Sequence, residues 1–190
     1  MEINKPLINS SNSSKISFAS LIRTVPHYPK EGVMFRDITT LLKDGVGLRL
    51  TIKTLSDHFR HHKIDQVVGI EARGFIIGSA VAYELGLGFV PVRKSGKLPA
   101  ETTGQNYKLE YGSDRVEIHT DAINSGESIL LIDDLIATGG TAEAACRLIN
   151  SLGAKVVGCG FVIDLPDLGG RQRLEELGLE VFALCEFEGD

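Results

Sequence analysis

Residues 129–141, ILLIDDLIATGGT, decide the fold. The run from Ile129 to Ile132 is apolar without alternation, as in a strand buried on both faces of a sheet. It delivers two carboxylates, Asp133 and Asp134, and a turn of small residues then opens into the helical pattern TAEAACRLINSLG, closed by Gly153. The same unit recurs on both sides of this stretch. QVVGIEARG followed by FIIGSAVAYELG reads as strand, polar turn and a helix ending at Gly86, and GFVPVRK is a further strand. After the central unit, AKVVGCGFVID is a strand, LGGRQRLEELG a helix and LEVFALCEF a last strand. Strands alternating with helices indicate parallel strands joined by crossovers, so the class is α/β, one open, mainly parallel twisted sheet flanked by helices.

The flanking segments are less regular. Residues 1–15, rich in Asn and Ser, have too few large apolar groups to offset the entropy of ordering and are expected to be a mobile tail. From Ile16 the pattern predicts about two helical turns, broken by Pro26 and Pro29, and GVMFRDITTLL at 32–42 reads as a loop leading into structure. Val46, Leu50, Leu55 and Phe59 predict a helix ending near His61. Between about 94 and 116 the periodicity fails. A polar run of that length in a compact domain suggests a functional lid, and it has room for a hairpin.

Twenty basic residues against twenty-five acidic give a net charge of −5, so the field of the whole chain repels nucleic acid and anionic lipid. A small anion would need a local basic patch. The three cysteines, Cys146, Cys159 and Cys185, form no CxxC pair, which suits a reducing compartment, the cytoplasm by default. No apolar run approaches the ~18 residues of a membrane span, and no signal-peptide core opens the chain.

Ligands of open α/β sheets bind outside the carboxyl ends of strands, which directs attention to three places. Thr138, Gly139, Gly140 and Thr141 offer backbone N–H groups, little side-chain bulk and two hydroxyls at a helix N-terminus, a cradle for a phosphate dianion. No GK[ST] follows at P-loop spacing and no GxGxxG occurs, so nucleoside triphosphate hydrolysis and dinucleotide binding lose support. Two acids beside an anion site need a reason. Ribose hydroxyls, a divalent cation or a developing sugar cation would each supply one. Arg73 follows the strand in IEARG, and Arg93, Lys94 and Lys97 form a positive patch in an acidic chain. His58 and His62 have the spacing of a metal pair on a helix, but Phe59 stands where HExxH has glutamate, and no third ligand is near in sequence.

ILLIDDLIATGGT resembles the phosphoribosyl pyrophosphate signature of the type I phosphoribosyltransferases. GVMFRDIT at 32–39, IEARGF at 70–75, RKSGKLPAET at 93–102, YKLEYG at 107–112 and DLPDLGG at 164–170 extend the resemblance to the adenine branch of that family, from about Ile16 to the C-terminus. Thr40 stands where many relatives place a proline. The resemblance implies a single domain over 16–190, with a hood over about 16–45 and a lid over about 94–116. It implies transfer of phosphoribosyl from magnesium-bound phosphoribosyl pyrophosphate to N9 of adenine, giving AMP and diphosphate, in a cytoplasmic homodimer that binds neither nucleic acid nor membrane. Mg2+ enters with the substrate and is assigned no protein ligand.

The same resemblance distributes the roles. Ala137 to Thr141 take the 5′-phosphate; Asp133 and Asp134 take the ribose hydroxyls and face the oxocarbenium-like C1′. Arg73, Arg93, Lys94 and Lys97 meet the diphosphate, with Arg93 reaching the neighbouring subunit's site. Phe35 and Leu165 sandwich the base, and backbone groups at Met34 and Arg36 read its edge. Glu110 manages a base proton, while Tyr107 and Tyr111 close the lid. The resemblance also implies a cis peptide between Glu71 and Ala72. Two other readings stand beside this one: a 6-oxopurine phosphoribosyltransferase, which shares the Asp-Asp string but not YKLEYG, and a phosphoribosyl pyrophosphate-sensing regulator, which would need a DNA-binding segment that the residues before Ile16 are too few and too uncharged to make.

Overall fold

The computed structural model describes residues 17–108 and 113–189. Its centre is a seven-stranded sheet formed by β3 (Gln66–Ile70), β4 (Gly88–Lys94), β5 (Thr102–Lys108), β6 (Ser113–His119), β7 (Ser128–Ile136), β8 (Lys155–Asp164) and β9 (Val181–Glu186). The spatial order is β5-β6-β4-β3-β7-β8-β9. β4, β3, β7, β8 and β9 are mutually parallel, whereas β6 joins β4 and β5 joins β6 antiparallel. The α/β expectation therefore holds, with an antiparallel ribbon added at one edge.

β7 shows why its apolar run does not alternate. Ile129 and Leu131 pack under α4 (Gly140–Ser151), whereas Leu130 and Ile132 face α2 (Gly45–Phe59) and α3 (Arg73–Leu85). All four side chains are fully buried. Both faces of the strand are core, so these positions must be apolar up to Asp133, where pairing with β3 has ended and only β8 remains beside the strand.

α2 is fixed at both ends. The Asp44 side chain accepts from the Gly47 N–H at 2.7 Å, the usual service of an aspartate before a helix. At the other end Phe59 lies over Gly158 and Gly160 of β8, where added Cβ atoms would stand 2.6 and 3.1 Å from its ring. His58 and His62 both direct Nε2 at Glu180, at 2.8 and 2.9 Å, and His58 stacks on Phe182 at 3.7 Å. The fold thus brings to the histidine pair a carboxylate that is distant in sequence. These contacts form a clip between α2 and β9, and among the described residues no group of three such side chains is arranged to hold a metal ion.

Two local expectations are corrected. The two helical turns after Ile16 are a single 3-10 turn, Phe18–Leu21, followed by β1 (Arg23–Pro26). The segment read as a loop contains β2 (Met34–Asp37) and α1 (Thr39–Lys43), and β1 and β2 pair antiparallel. Periodicity is blind to this two-stranded piece because each strand is four residues long and only half-buried. Polar contacts secure it: Arg23 pairs with Asp37, and Thr40 donates to the Leu21 carbonyl at 2.7 Å. The hairpin allowed for in the polar run is present as β5 and β6, paired from Thr102–His119 to Lys108–Ser113. Residues 1–15, expected as a tail, lie outside the described residues.

Phe59 is fully buried against the bare backbone of Gly158 and Gly160. Phe59→Ala is expected to lower unfolding free energy by about 3–5 kcal/mol in chemical denaturation.

Candidate active site

The strand order places β3 between β4, which follows it, and β7, reached by crossing to the other side, so the chain reverses direction at the β3/β7 boundary. Helices leaving opposite faces there part the surface, and this is where α/β sheets hold ligands. A cavity of about 370 Å³ opens at that point. Into it come Ile70 and Glu71 from the end of β3, Arg73 from the start of α3, Lys94 from the end of β4, Tyr107 and Asp114 from the edge ribbon, and the continuous stretch Asp133 to Ala142. Arg73, Lys94, Tyr107, Asp133, Asp134 and Ala137 to Thr141, separated by up to 68 residues in the chain, are thereby gathered in one place.

The two acids are not equivalent. Asp134 is buried, and its Oδ2 accepts from Arg73 Nε at 2.5 Å. Asp133 Oδ1 accepts from the Asp134 N–H at 2.8 Å and lies against α3, where a Cβ on Gly74 would come within 2.8 Å of it. Burial first, and then the adjacent Asp134 carboxylate, push the Asp133 carboxyl well above the ordinary carboxylate range. A pocket holding one carboxylate paired with a guanidinium and one that is costly to ionise is matched to a ligand that brings hydrogen-bond donors or positive charge.

Beyond the acids, Gly139 adopts φ +76°, where a side chain would be strained, and α4 begins at Gly140. The turn therefore exposes main-chain N–H groups at a twelve-residue helix's positive end, an anion site in general form. Lys94 Nζ stands 3.8 Å from Asp114 Oδ2, which also accepts from the Tyr107 hydroxyl at 3.0 Å. The peptide between Glu71 and Ala72 is cis.

Other expected site residues lie outside this cavity's lining. Arg93 turns to Glu71 at 3.2 Å and to the Lys97 carbonyl at 2.9 Å, and Lys97 itself is exposed. Met34, Phe35 and Arg36 lie on β2, with Phe35 linked to the cavity through Arg73, whose guanidinium carbon is 5.5 Å from the ring centre. Arg36 stacks on Phe187 at 4.4 Å and donates to Thr24 at 2.7 Å. Leu165 donates its N–H to the Ile136 carbonyl at 3.0 Å, which ties the loop after β8 to the phosphate-type turn. Glu110 and Tyr111 fall outside the described residues.

Sequence reasoning missed Asp114 and a role for the Glu71 carboxylate, which accepts from Arg93 and from the Lys94 N–H at 3.0 Å. No motif spacing marks Asp114. Glu71 could have been found as the acid beside a strand end in IEARG.

The raised Asp133 carboxyl yields a prediction. Its charge opposes folding, so the sign is unfavourable to stability as pH rises above the unfolded value, and an uncharged isostere escapes that cost. Asp133→Asn, which keeps the oxygen that accepts from Asp134, is expected to raise Tm at pH 7 by about 2–4 °C in a calorimetric scan, and the gain should shrink toward pH 4.

The chain is similar over most of its length to known proteins. Residues 38–177 match the model of the phosphoribosyl transferase domain. The adenine phosphoribosyltransferase of Nitrosospira multiformis is 70% identical over 171 residues, covering 90% of this chain and 98% of that one. That of Nitrosomonas europaea is 63% identical, covering 91% and 99%. The crystal structure of adenine phosphoribosyltransferase from Thermoanaerobacter pseudethanolicus superposes with a TM-score of 0.86 at 45% identity, covering 90% and 98%. The Saccharomyces cerevisiae enzyme, crystallised with an imino-altritol bisphosphate and adenine, gives 0.81 at 40% identity, covering 89% and 99%. With a cavity built from the ends of β3 and β7 and this degree of likeness over nine-tenths of its length, the chain belongs to the adenine phosphoribosyltransferases.

Proposed function

We propose that adenine phosphoribosyl transfer, the purine-salvage reaction this chain catalyses, takes place in the cavity between β3 and β7. The observation that supports this most directly is the convergence of Arg73, the two aspartates and the Ala137–Thr141 turn on one space. In this reading the 5′-phosphate lies on the N–H groups and hydroxyls of Ala137 to Thr141, each charge-assisted contact contributing about 1.5–3 kcal/mol. The ribose hydroxyls donate to Asp133 and Asp134. As the bond from C1′ to diphosphate breaks, positive charge grows on the ring, and the carboxylates beneath it stabilise that charge more than they stabilise the ground state.

Arg73 is engaged through Nε, which leaves the donors of its two terminal nitrogens for the departing diphosphate. Lys94 adds a second cation, and Mg2+ enters with the diphosphate as part of the substrate. Arg93 and Lys97, which do not line this cavity, also meet the diphosphate, Arg93 by reaching the neighbouring subunit's site in a homodimer. Adenine lies between Phe35 and Leu165. Backbone groups of Met34 and Arg36 read its edge, where a carbonyl accepting from the 6-amino group would repel a 6-oxo group. N9 bonds to C1′ and gives up its proton on the side of Glu110, with Tyr107 and Tyr111 closing the lid over about 94–116. The hood over about 16–45 carries the base wall, within a single domain over 16–190, and the enzyme works in the cytoplasm.

A 6-oxopurine specificity is the competing chemistry. A spectrophotometric assay with adenine, hypoxanthine and guanine, each with phosphoribosyl pyrophosphate and magnesium, is expected to favour adenine by roughly 10⁴. Comparable turnover of hypoxanthine would refute the edge-reading assignment. Asp133→Asn is expected to lower kcat more than it raises KM for phosphoribosyl pyrophosphate; the reverse split would reduce Asp133 to a ground-state contact.

A further inference from the structure

The turn from Ala137 to Gly140 is backed by an element that the reaction scheme does not use. The short helix α5 (Gly170–Glu175) abuts it so closely that a Cβ on Gly170 would stand 2.2 Å from the Ala137 carbonyl oxygen and 2.7 Å from the Gly139 nitrogen. From the other side, a Cβ on Gly139 would stand 2.9 Å from the Gly170 carbonyl oxygen. One turn further along α5, Arg173 donates from Nη1 to the Thr138 carbonyl at 3.0 Å. Its Nε lies 2.9 Å from Glu143 Oε2, while Arg147 takes the other oxygen of the same carboxylate at 2.7 and 2.9 Å.

Two physical consequences follow for a loop that works by presenting N–H groups to an anion. The carbonyl and N–H of a trans peptide point in opposite senses, so a bond that pins the Thr138 carbonyl toward α5 fixes the Gly139 N–H away from it. A peptide rotated the other way would turn an oxygen toward the phosphate. Glu143, moreover, sits in the first turn of α4, where a negative side chain competes with a bound anion for the helix's positive end. Two guanidinium groups around one carboxylate leave that neighbourhood net positive.

The geometry points to Arg173 as a positioning residue for the 5′-phosphate: it aims the loop by holding the Thr138 carbonyl and, with Arg147, masks the charge of Glu143. Arg173 touches no reacting atom in this scheme. The inference rests on the reading of Ala137–Thr141 as the phosphate loop, and it adds to that reading a residue from a separate helix, 35 positions away from Thr138 in the chain.

Steady-state kinetics with both substrates varied, together with thermal unfolding, test it in the full chain. Arg173 is half-exposed, so Arg173→Ala is expected to fold with Tm close to the parent. KM for phosphoribosyl pyrophosphate should rise about tenfold, the effect of losing one charge-assisted hydrogen bond, with KM for adenine unchanged and kcat less affected. Arg173→Lys, which keeps the charge without the forked donor, should recover part of the loss. Adding Glu143→Gln to Arg173→Ala should recover part of it too, since the carboxylate left half-masked is then neutral. An unchanged KM for phosphoribosyl pyrophosphate in Arg173→Ala overturns the inference, as does an equal rise in both KM values accompanied by a fall in Tm. Thr141→Val separates this failure from that of the underlying reading. If Thr141→Val alone raises KM for phosphoribosyl pyrophosphate, only the role of Arg173 is lost; if neither variant does, the turn is not the phosphate loop.

Discussion

The cleft is organised around a guanidinium set against a buried carboxylate, Arg73 on Asp134. Asp134 is buried near the end of a strand whose middle, Ile129 to Ile132, is core, and among the described residues Arg73 is the cation that compensates it. The pair does more than neutralise a charge. Arg73 opens α3, which continues from β3, and Asp134 belongs to β7, so one contact ties together the carboxyl ends of two neighbouring strands at the point where the sheet changes direction. Asp133, next in line, lacks a partner of this kind among the described residues and bears the electrostatic cost. The cleft is therefore prepared for positive charge before any ligand enters it, and that preparation is what electrostatic stabilisation of an oxocarbenium-like state requires.

Where a segment's fate depended on local pattern, the sequence was informative. The apolar run at β7, the helices closing on Gly86 and near Gly153, and the small-residue turn before α4 all follow from burial on two faces, from helical spacing and from glycine's backbone freedom. The turn over Ala137–Thr141, which the structure brings to the cavity, was legible for the same reason, because it is made of contiguous residues. Pairing between distant short segments was not legible. β1 and β2 offer too few residues to establish a period, and they are joined by polar contacts such as Arg23 with Asp37, whose partners lie fourteen residues apart. Glu180, gripped by two histidines more than a hundred residues away, carries no local mark at all.

Asp114 illustrates a different limit. It sits in a polar run with no periodicity, yet in three dimensions it accepts from Tyr107 and faces Lys94, joining the edge ribbon to the cavity. Contacts of this kind stabilise a particular arrangement of loops and not a secondary structure, so neither propensity nor hydrophobic pattern records them. The same holds for α5. Its sequence announces a short helix, but the service of that helix to the neighbouring turn depends on the absence of a side chain at Gly170 and on the reach of Arg173.

The ring of Phe59 over the bare backbone of Gly158 and Gly160 has a reach beyond core filling. It acts as a key in a slot: α2 cannot slide along β8 without lifting an aromatic ring out of a notch cut for it. α1 and the β1–β2 piece are carried on that helix's near end, so the wall proposed to hold the purine inherits its distance from the sugar site from a contact on the far side of the sheet's helical layer. On that proposal, the spacing between base and ribose is a property of the scaffold's interior and not of the hood's outer surface.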